Sequence, residues 1–168
     1  MLVRRLAPGD AQAYWETRNR GLQEFPDAFT SSHEEGVATP LSVLAKRFGG
    51  SGSDDFVLGA FSSEGTLAGH AGFQREARTK NRHKGTLIGM YVVPEFRGRS
   101  VGKLLLDQLI GEVRAIPGME RLSLTVTHSN EAARMLYLRA GFVSFGIEEK
   151  ALKTGGRYYD KEHMVLAL

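Results

Sequence analysis

The sequence predicts an α+β fold, in which a mixed, mostly antiparallel twisted sheet of six or seven strands is flanked by about four helices. Three observations support this fold class. Strand-like apolar segments outnumber helical ones, short turns rich in Gly, Ser or Pro join many of them, and one long amphipathic segment separates two strands. The length of 168 residues is typical of one domain, so a single domain over residues 1–168 is expected.

The N-terminal part is predicted to be one strand followed by helices. Residues 2–6 form the strand, and a helix follows over residues 8–20, because proline is favoured in a first helical turn. Residues 21–40 have no steady period, and Phe25-Pro26 ends any long helix within them. A second helix is predicted over residues 40–48, where apolar residues recur near the helical period.

The middle of the chain is predicted to be a run of strands. Residues 49–55, which contain only Gly, Ser and Asp, are expected to form a flexible turn before it. The strands cover residues 56–61, 66–76 and 86–93, with a basic hairpin connection over residues 78–84.

A βαβ unit is predicted next. Apolar residues recur four apart from Val101 to Val113, Pro117 stops the helix, and residues 122–127 alternate as a strand. Because the helix connects this strand to residues 86–93, the two strands should be parallel, with a right-handed crossover.

The chain is predicted to close with a helix and a strand pair. The helix covers residues 130–139, and Gly141 stands where a left-handed C-terminal cap is expected. The strands cover residues 142–147 and 158–166, with a turn at Thr154-Gly155-Gly156.

Composition excludes several kinds of site. The chain has no cysteine, which excludes disulfides, a thiol nucleophile, iron–sulfur clusters and thiolate zinc sites. Its five histidines have no ligand spacing, so no metal is predicted. No apolar stretch approaches the ~20 residues of a membrane span, and no signal peptide is visible, so no membrane partner and a cytoplasmic location are expected. The net charge of +3 fits an anionic small ligand as well as nucleic acid.

The most informative stretch is residues 93–103, where a strand ends, a glycine-containing turn follows and a helix begins. Arg97, Arg99 and Lys103 oppose the helix dipole by about 0.3–1 kcal/mol each, and a bound phosphate would reverse that effect. The glycine spacing matches neither the Walker nor the dinucleotide motif. A surface turn capped by Ser100 is the alternative that needs no ligand.

These residues resemble the GNAT N-acetyltransferase superfamily, whose motif [QR]-x-x-G-x-[GA] is similar to residues 97–102. The resemblance continues through residues 89–94, 130–137 and 140–142, and residues 82–84 and 156–160 look like one bacterial branch. It covers about residues 56–168, which would be the core that binds acetyl-coenzyme A (acetyl-CoA). Residues 1–55 would supply the first strand and the helices of the acceptor side. The resemblance implies these cofactor-binding residues: Tyr91, Val92, Val93, Arg97, Gly98, Arg99, Ser100, Val101, Gly102, Lys103, Asn130 and Tyr137.

Ser100 departs from the motif, which usually has glycine there. A serine with a positive φ would be strained, whereas a serine already in helical conformation would be harmless and could offer its hydroxyl to a phosphate. We expect the helical conformation.

The resemblance implies direct transfer of an acetyl group from acetyl-CoA to a primary amine, with both substrates bound together. A chain without cysteine has no thiol for a covalent acyl-enzyme, which suits this mechanism. A backbone N–H around Tyr91–Val92 would hold the oxyanion, and Tyr137 would be the general acid for the leaving thiolate. The base stays open between Glu34, Glu35 and a chain of water molecules, because Thr86 stands where some members carry glutamate.

The acceptor, a small molecule or a protein amine, should be selected by the N-terminal helices and the Lys150–Tyr159 turn. The N-terminal candidates are Tyr14, Trp15, Arg18, Phe25 and Phe29. A basic cluster over residues 75–84 fits either an exposed hairpin or a surface that attracts an acidic acceptor or coenzyme A.

Two other functions compete with the enzyme. In a non-catalytic acyl-CoA-binding module, Tyr137 would be a core aromatic residue and Asn130 only a helix cap. A nucleic-acid-binding protein would use the basic hairpin, but Phe73 is the only aromatic residue nearby, which argues against it. A homodimer through an edge strand near the C-terminus is compatible with the sequence.

Overall fold

Seven strands form one mixed sheet, in the order β1-β2-β3-β4-β5-β7-β6, in the computed structural model, which describes residues 1–49 and 54–168. The strands are β1 (Leu2–Arg5), β2 (Phe56–Phe61), β3 (Leu67–Arg75), β4 (Lys84–Val92), β5 (Arg121–Thr127), β6 (Val143–Thr154) and β7 (Arg157–Ala167). The helices of the described ranges are α1 (Ala11–Glu24), α2 (His33–Ala38), α3 (Leu41–Gly49), α4 (Val101–Arg114) and α5 (Glu131–Arg139). The predicted fold class is confirmed, with one helix more than expected.

The β4–α4–β5 segment forms the predicted βαβ unit, and its strands are the parallel pair of the sheet. Their pairing is short: it runs from Lys84 opposite Arg121 to Thr86 opposite Ser123. Beyond Thr86 a bulge interrupts β4, where Gly89 has a φ of 58° and the register with β3 shifts by one residue. The two strands therefore diverge and leave an opening between the second half of β4 and the end of β5.

The two faces of the sheet carry separate cores. Helix α4 covers one face, and its Leu105, Leu106 and Leu109 side chains are fully buried there. Burial of one such leucine contributes about 1.5–3 kcal/mol. Helices α1 and α3 cover the other face, where Tyr14 and Leu44 pack in one cluster with residues of β2 and β3. The opening between β4 and β5 is thus bordered by helices on both sides of the sheet.

Two predicted segments differ from the structure. Helix α2 lies within residues 21–40, and its first turn is closed by a capping box between Ser32 and Glu35. Strand β6 continues to Thr154 instead of ending near residue 147, because it keeps pairing with β7 past a register shift. Residues 50–53 of the predicted turn lie outside the described residues. The turn at Gly155 and Gly156, both with positive φ, is confirmed.

Within the described ranges, no helix combines the length and apolarity needed to cross a bilayer.

Candidate active site

The free edge of β4 forms one wall of the opening. Gly69 of β3 lies opposite Val92, and the next N–H, that of Val93, donates to the carbonyl of Ala68 at 3.0 Å. Because backbone groups alternate along a strand, the N–H and C=O of Val92 point away from β3 and into the opening. Arg97 Nε donates to the Val92 carbonyl at 3.1 Å, which ties the following loop to this edge.

A cavity of about 720 Å³, the cofactor cleft, runs from this edge to the start of α4. Ten of the twelve predicted cofactor-binding residues line it: Tyr91, Val92, Arg97, Gly98, Ser100, Val101, Gly102, Lys103, Asn130 and Tyr137. The other two do not. Val93 is buried in the core, and the guanidinium of exposed Arg99 lies 5.3 Å from the centre of the Phe96 ring.

The loop before α4 has the backbone form of an anion site. Gly98 and Ser100 both have left-handed conformations, with φ of 72° and 60°, and α4 starts directly after Ser100. The Leu104 N–H donates to the Ser100 carbonyl, so the amides of residues 101–103 precede the first intrahelical bond and are free for a ligand. Such a concave row of amides at a helix N-terminus binds phosphate well.

The expected helical conformation of Ser100 is wrong. Its φ of 60° and ψ of 16° lie in the left-handed region, and its side chain makes no capping hydrogen bond. The chain must reverse within a few residues between Val93 and α4, and a left-handed residue makes that reversal; serine occupies it at a cost of about 1–2 kcal/mol.

The basic residues around the loop differ in how firmly their contacts hold them. Arg97 is held in place by stacking 4.8 Å from the Phe25 ring and by Glu24 at 3.9 Å. Lys103 pairs with Asp107 on the exposed surface of α4, an interaction weak enough to be exchanged for a ligand. Tyr91 donates its hydroxyl to Glu24 at 2.9 Å, and burial, aided by this bond, raises the pKa of Tyr91 to about 12.

Tyr137 is positioned by the end of α5. The Phe142 N–H bonds to the Tyr137 carbonyl and the Gly141 N–H to the Leu138 carbonyl, which is a Schellman motif with Gly141 at φ 96°. The Phe142 ring packs edge-on against the Tyr137 ring at 5.9 Å. The predicted cap at Gly141 is therefore confirmed, and it fixes the last turn of the helix that carries Tyr137.

The Tyr137 hydroxyl points into the site. The residue is 6 % exposed, and its hydroxyl lies 3.6 Å from the sulfur of Met90. Burial raises the pKa of Tyr137 to about 12, so the phenol stays neutral at physiological pH and keeps a proton to donate. Asn130, at the other end of α5, accepts from the Ala133 N–H at 3.2 Å, which confirms its capping role.

A second cavity of about 360 Å³, the inner cavity, lies on the side of the sheet covered by α1 and α3. Its walls come from α1, the chain around residues 28–31, residues 86–90 of β4 and the end of β5. The inner cavity and the cofactor cleft share six residues: Ala28, Phe29, Met90, Asn130, Ala133 and Tyr137. The two cavities thus meet at Tyr137.

The predicted acceptor residues are only partly brought together. Tyr14, Arg18 and Phe29 line the inner cavity, whereas half-buried Trp15 of α1 packs against the core on this face of the sheet. Phe25 lines the cofactor cleft. A third cavity, the outer cavity, is lined by nine residues of the segment 22–34 together with Leu152–Thr154 of the predicted hairpin turn.

Glu34 and Glu35, the predicted bases, lie on α2 and line neither the inner cavity nor the cofactor cleft. Glu34 lines the outer cavity, and hydrogen bonds from its own backbone N–H and from Ser32 hold the pKa of Glu34 below its ordinary value. The Glu35 carboxylate accepts the Ser32 N–H at 2.7 Å as part of the capping box. The structure does not bring either carboxylate to Tyr137.

Lys161 was missed by the sequence reasoning. It is 5 % exposed and lines the inner cavity, where Nζ donates to the Ala28 carbonyl at 2.9 Å and to the Thr127 hydroxyl at 3.0 Å. The sequence signal that could have identified it is a lysine at an inward-facing position of the last predicted strand. Burial lowers the pKa of Lys161, although Asp27 opposes this effect.

The basic hairpin lies at the start of β4, which is roughly 25 Å of strand away from Val92. Within it, Arg75 is tied to Asp54, to the Arg82 carbonyl and to the Pro117 carbonyl. This part of the cluster braces the hairpin against the turn that follows α4.

The fold, the row of amides at the start of α4 and the two joined cavities are features of an acyltransferase. The family model "Acetyltransferase (GNAT) family" matches residues 19–142, and the chain belongs to that family. It is therefore an acetyltransferase.

Individual proteins are similar to different extents. The mycothiol acetyltransferase of Propionibacterium freudenreichii subsp. shermanii is 36% identical over 86 residues, which are 51% of this chain and 27% of that protein. The chain thus spans about a quarter of the length of that relative. A GNAT-family acetyltransferase from Streptococcus pneumoniae superposes with a TM-score of 0.87 at 28% identity, over 99% of this chain and 98% of that one. A candidate acetyltransferase from Salmonella typhimurium, solved with its cofactor acetyl-CoA, has a TM-score of 0.80 at 24% identity, over 100% and 94% of the two chains.

Proposed function

We propose that the protein transfers the acetyl group of acetyl-CoA to a primary amine by direct attack in a ternary complex. The observation that carries this proposal is the meeting of the cofactor cleft and the inner cavity at Tyr137. Residues 56–168 supply most of the cleft, and residues 1–55 supply Tyr14, Arg18 and the chain around Phe29 to the acceptor side. Because acetyl-CoA is an intracellular metabolite, the reaction is expected in the cytoplasm.

In this proposal the cofactor lies along the cleft with its phosphates at the start of α4 and its thioester at the junction of the two cavities. Its phosphates bind the amides that follow Ser100, together with Lys103 and, at the surface, Arg99. Its amide-containing arm runs along the free edge of β4 around Tyr91–Val92, where a backbone N–H can hold the thioester oxygen as it becomes an oxyanion. This direction brings the thioester to the junction of the two cavities.

The reaction then needs three proton movements. The ammonium first loses one proton, and the neutral amine nitrogen attacks the thioester carbon. As the carbon–sulfur bond breaks, the thiolate receives a proton from the Tyr137 hydroxyl, and the second proton of the nitrogen passes to the Tyr137 phenolate and restores it. Tyr137 is suited to this because it is neutral and, among residues 1–49 and 54–168, its hydroxyl has only the Met90 thioether as a partner. A coenzyme A thiol buried at this place would also have a raised pKa. The pKa values of the thiol and of the Tyr137 hydroxyl would then lie close together.

The proton of the incoming ammonium leaves by a different path in this proposal. No aspartate or glutamate of the described residues lines the inner cavity or the cofactor cleft. The inner and outer cavities share Phe29, Thr30 and Ser31, so water can connect the amine to Glu34. Since its pKa is lowered, Glu34 would be a weak proton acceptor, and release to bulk water completes the step.

Thermal unfolding with and without acetyl-CoA tests the proposed function. At about 100 times Kd, binding should stabilise the fold by about 2.7 kcal/mol, or roughly 5–11 °C in Tm. Gly102→Glu should remove this shift, because Gly102 lines the cleft and an added Cβ there already lies 3.4 Å from Leu136. Gly111→Glu is the matched control on the open face of the same helix. No shift for ligand-free wild type, or an undiminished shift in folded Gly102→Glu, would refute the assignment.

We further propose that β6 pairs with β6 of a second copy. It is the edge strand of the sheet, and Val143, Phe145 and Ile147 on it are each more than half exposed. Unpaired apolar edges of this kind favour association. Light scattering after size exclusion should give the mass of a dimer, and Phe145→Lys should shift it to a monomer. A monomeric wild type at high micromolar concentration would contradict the pairing.

A further inference from the structure

The inner cavity has an uneven charge. Three cationic side chains line it, Arg18 from α1, Arg47 from α3 and Lys161 from β7. No aspartate or glutamate among residues 1–49 and 54–168 lines it. The remaining polar wall is formed by hydroxyl and amide side chains, which do not neutralise the cations. The cavity is therefore a region of positive potential next to the proposed reaction centre.

Seven of the fifteen arginines of the chain form ion pairs among the described residues, and Arg18 and Arg47 are not among them. The seven are Arg4, Arg5, Arg20, Arg75, Arg82, Arg97 and Arg134. Within the described chain, Arg18, Arg47 and Lys161 form none, and Lys161 is buried with only neutral oxygen acceptors. Of the three, Arg47 is exposed, Arg18 is half-buried and Lys161 is buried, and the charge of Asp27 offsets the burial of Lys161 only in part. An anionic ligand would reduce the remaining cost of burying this charge.

Arg18 is the best placed of the three to bind a ligand. Its Nη2 donates to Ser31 Oγ at 3.2 Å, and a Cβ added at Gly89 would lie 3.7 Å from Nη1. The guanidinium therefore sits over the bulge of β4, one residue before Met90 and the junction with the cofactor cleft. Its remaining donors form a planar fork, which matches the oxygen pair of an acid group.

We propose that the acceptor amine carries an acid group, a carboxylate or a phosphonate, and that Arg18 binds this group while Arg47 and Lys161 add to the positive potential. This inference rests on the proposed function, because it places the amine at the junction of the two cavities. The cavity volume of about 360 Å³ lies at the lower end of the ~300–1,000 Å³ range of ligand pockets. The acceptor is therefore a small amino acid-like molecule rather than a protein chain.

The experiment measures thiol release from acetyl-CoA with matched probes. The panel contains the L-amino acids, the carboxamide and the decarboxylated amine of each, 2-aminoethylphosphonate, and a short peptide with a free N-terminal alanine. We expect kcat/KM to be at least about 10-fold higher for an acid than for its neutral counterpart, as expected for hydrogen bonds to a charged group. The carboxylate and phosphonate arms identify which acid is preferred.

Arg18→Gln tests the residue. It should lower kcat/KM for the preferred acid by roughly 10- to 150-fold, mainly through KM, and leave its carboxamide almost unchanged. Arg18→Lys should recover part of the loss, because it keeps the charge but not the fork. Arg114→Gln, at the exposed end of α4, makes the same charge change away from the cavity and is the control. If Arg18→Gln unfolds, Arg47→Gln on the exposed rim replaces it, and it should likewise lower kcat/KM for the acid more than for the carboxamide.

The outcomes separate the two proposals. Acetylation of carboxamides, neutral amines or the peptide as efficiently as of acids overturns the acid-group proposal alone, as does an equal loss for acids and carboxamides in Arg18→Gln. Failure of the wild type to bind acetyl-CoA overturns the proposed function and this inference with it.

Discussion

The hydroxyl of Tyr137 lies 3.6 Å from the thioether sulfur of Met90, a residue that follows directly after the bulge of β4. A thioether is a weak acceptor, so the phenolic proton is not committed to a strong hydrogen bond. Helix α5 and the broken strand thus place one available proton where the cofactor cleft meets the inner cavity.

Tyr137→Phe should lower kcat by about 10²-fold or more, because the leaving thiolate loses its proton donor. The Kd for acetyl-CoA should change little, since the ring remains packed on Phe142 and the phosphate loop is untouched. Thiol-release kinetics together with calorimetric titration of acetyl-CoA separate the two quantities. An unchanged kcat would remove Tyr137 from the chemistry.

Ser100→Gly should stabilise the protein by about 1 kcal/mol, because glycine adopts a φ of 60° without the steric cost that serine has there. Acetyl-CoA affinity should stay within a few-fold if the backbone amides bind the phosphates. Ser100→Ala is the control, since it removes the hydroxyl but keeps the strained Cβ and should bring no gain in Tm. Equal Tm for all three proteins would argue against strain at this position.

His70 should make the fold sensitive to acid. It is 1 % exposed between the rings of Tyr14 and Tyr91, and burial, assisted by the charge of Arg18, lowers the pKa of His70 to about 3. Its ring nitrogens make no well-formed hydrogen bond in the described chain, and the nearby Gly89 backbone offsets the shift only in part. The unfolded chain protonates this histidine below about pH 6.5, whereas the folded protein does not.

Stability from His70 is therefore present above pH 6.5 and is lost as the pH falls towards 3, by about 2 kcal/mol between pH 7 and 5. His70→Phe keeps an aromatic ring in the same place and should lack this part of the acid sensitivity. Urea unfolding of both proteins at pH 7 and 5 measures it. Parallel losses in the two proteins would show that His70 is not the cause.

Two glycine substitutions should have opposite effects. Gly141→Ala places a Cβ at a φ of 96° and 3.3 Å from Leu166, so it should destabilise the fold by about 1–2 kcal/mol and loosen the last turn of α5. Gly111→Ala lies in an open position within α4 and should stabilise it by about 0.5–1 kcal/mol. Thermal unfolding tests both, and a rise in Tm for Gly141→Ala would contradict the role of the cap.

The fold and the cofactor loop could be predicted because their signals are local. The apolar period of α4, the cap at Gly141 and the order of strands around the βαβ unit are each contained in a few neighbouring residues. Helix α2 was missed although a signal existed, since Ser32 and Glu35 have the spacing of a capping box. A six-residue helix has fewer than two turns, which is too short for an apolar period to be recognised.

The inner cavity could not be predicted, because its walls come together only in the folded chain. Arg18, Arg47 and Lys161 are far apart in sequence, and nothing local indicates that they border one space. The error at Ser100 has a similar origin. Its conformation is set by how sharply the chain must turn from β4 into α4, which the residue type does not reveal.

The short contact between β4 and β5 makes it possible to detect a bound ligand from the backbone. Three residue pairs join the two halves of the sheet, and beyond them no strand of the described residues bonds to the Val92 amide. A ligand lying along that edge completes the sheet as a missing strand would. The rate at which the Val92 amide exchanges its hydrogen with solvent is then a direct gauge of occupancy, readable without any catalytic turnover.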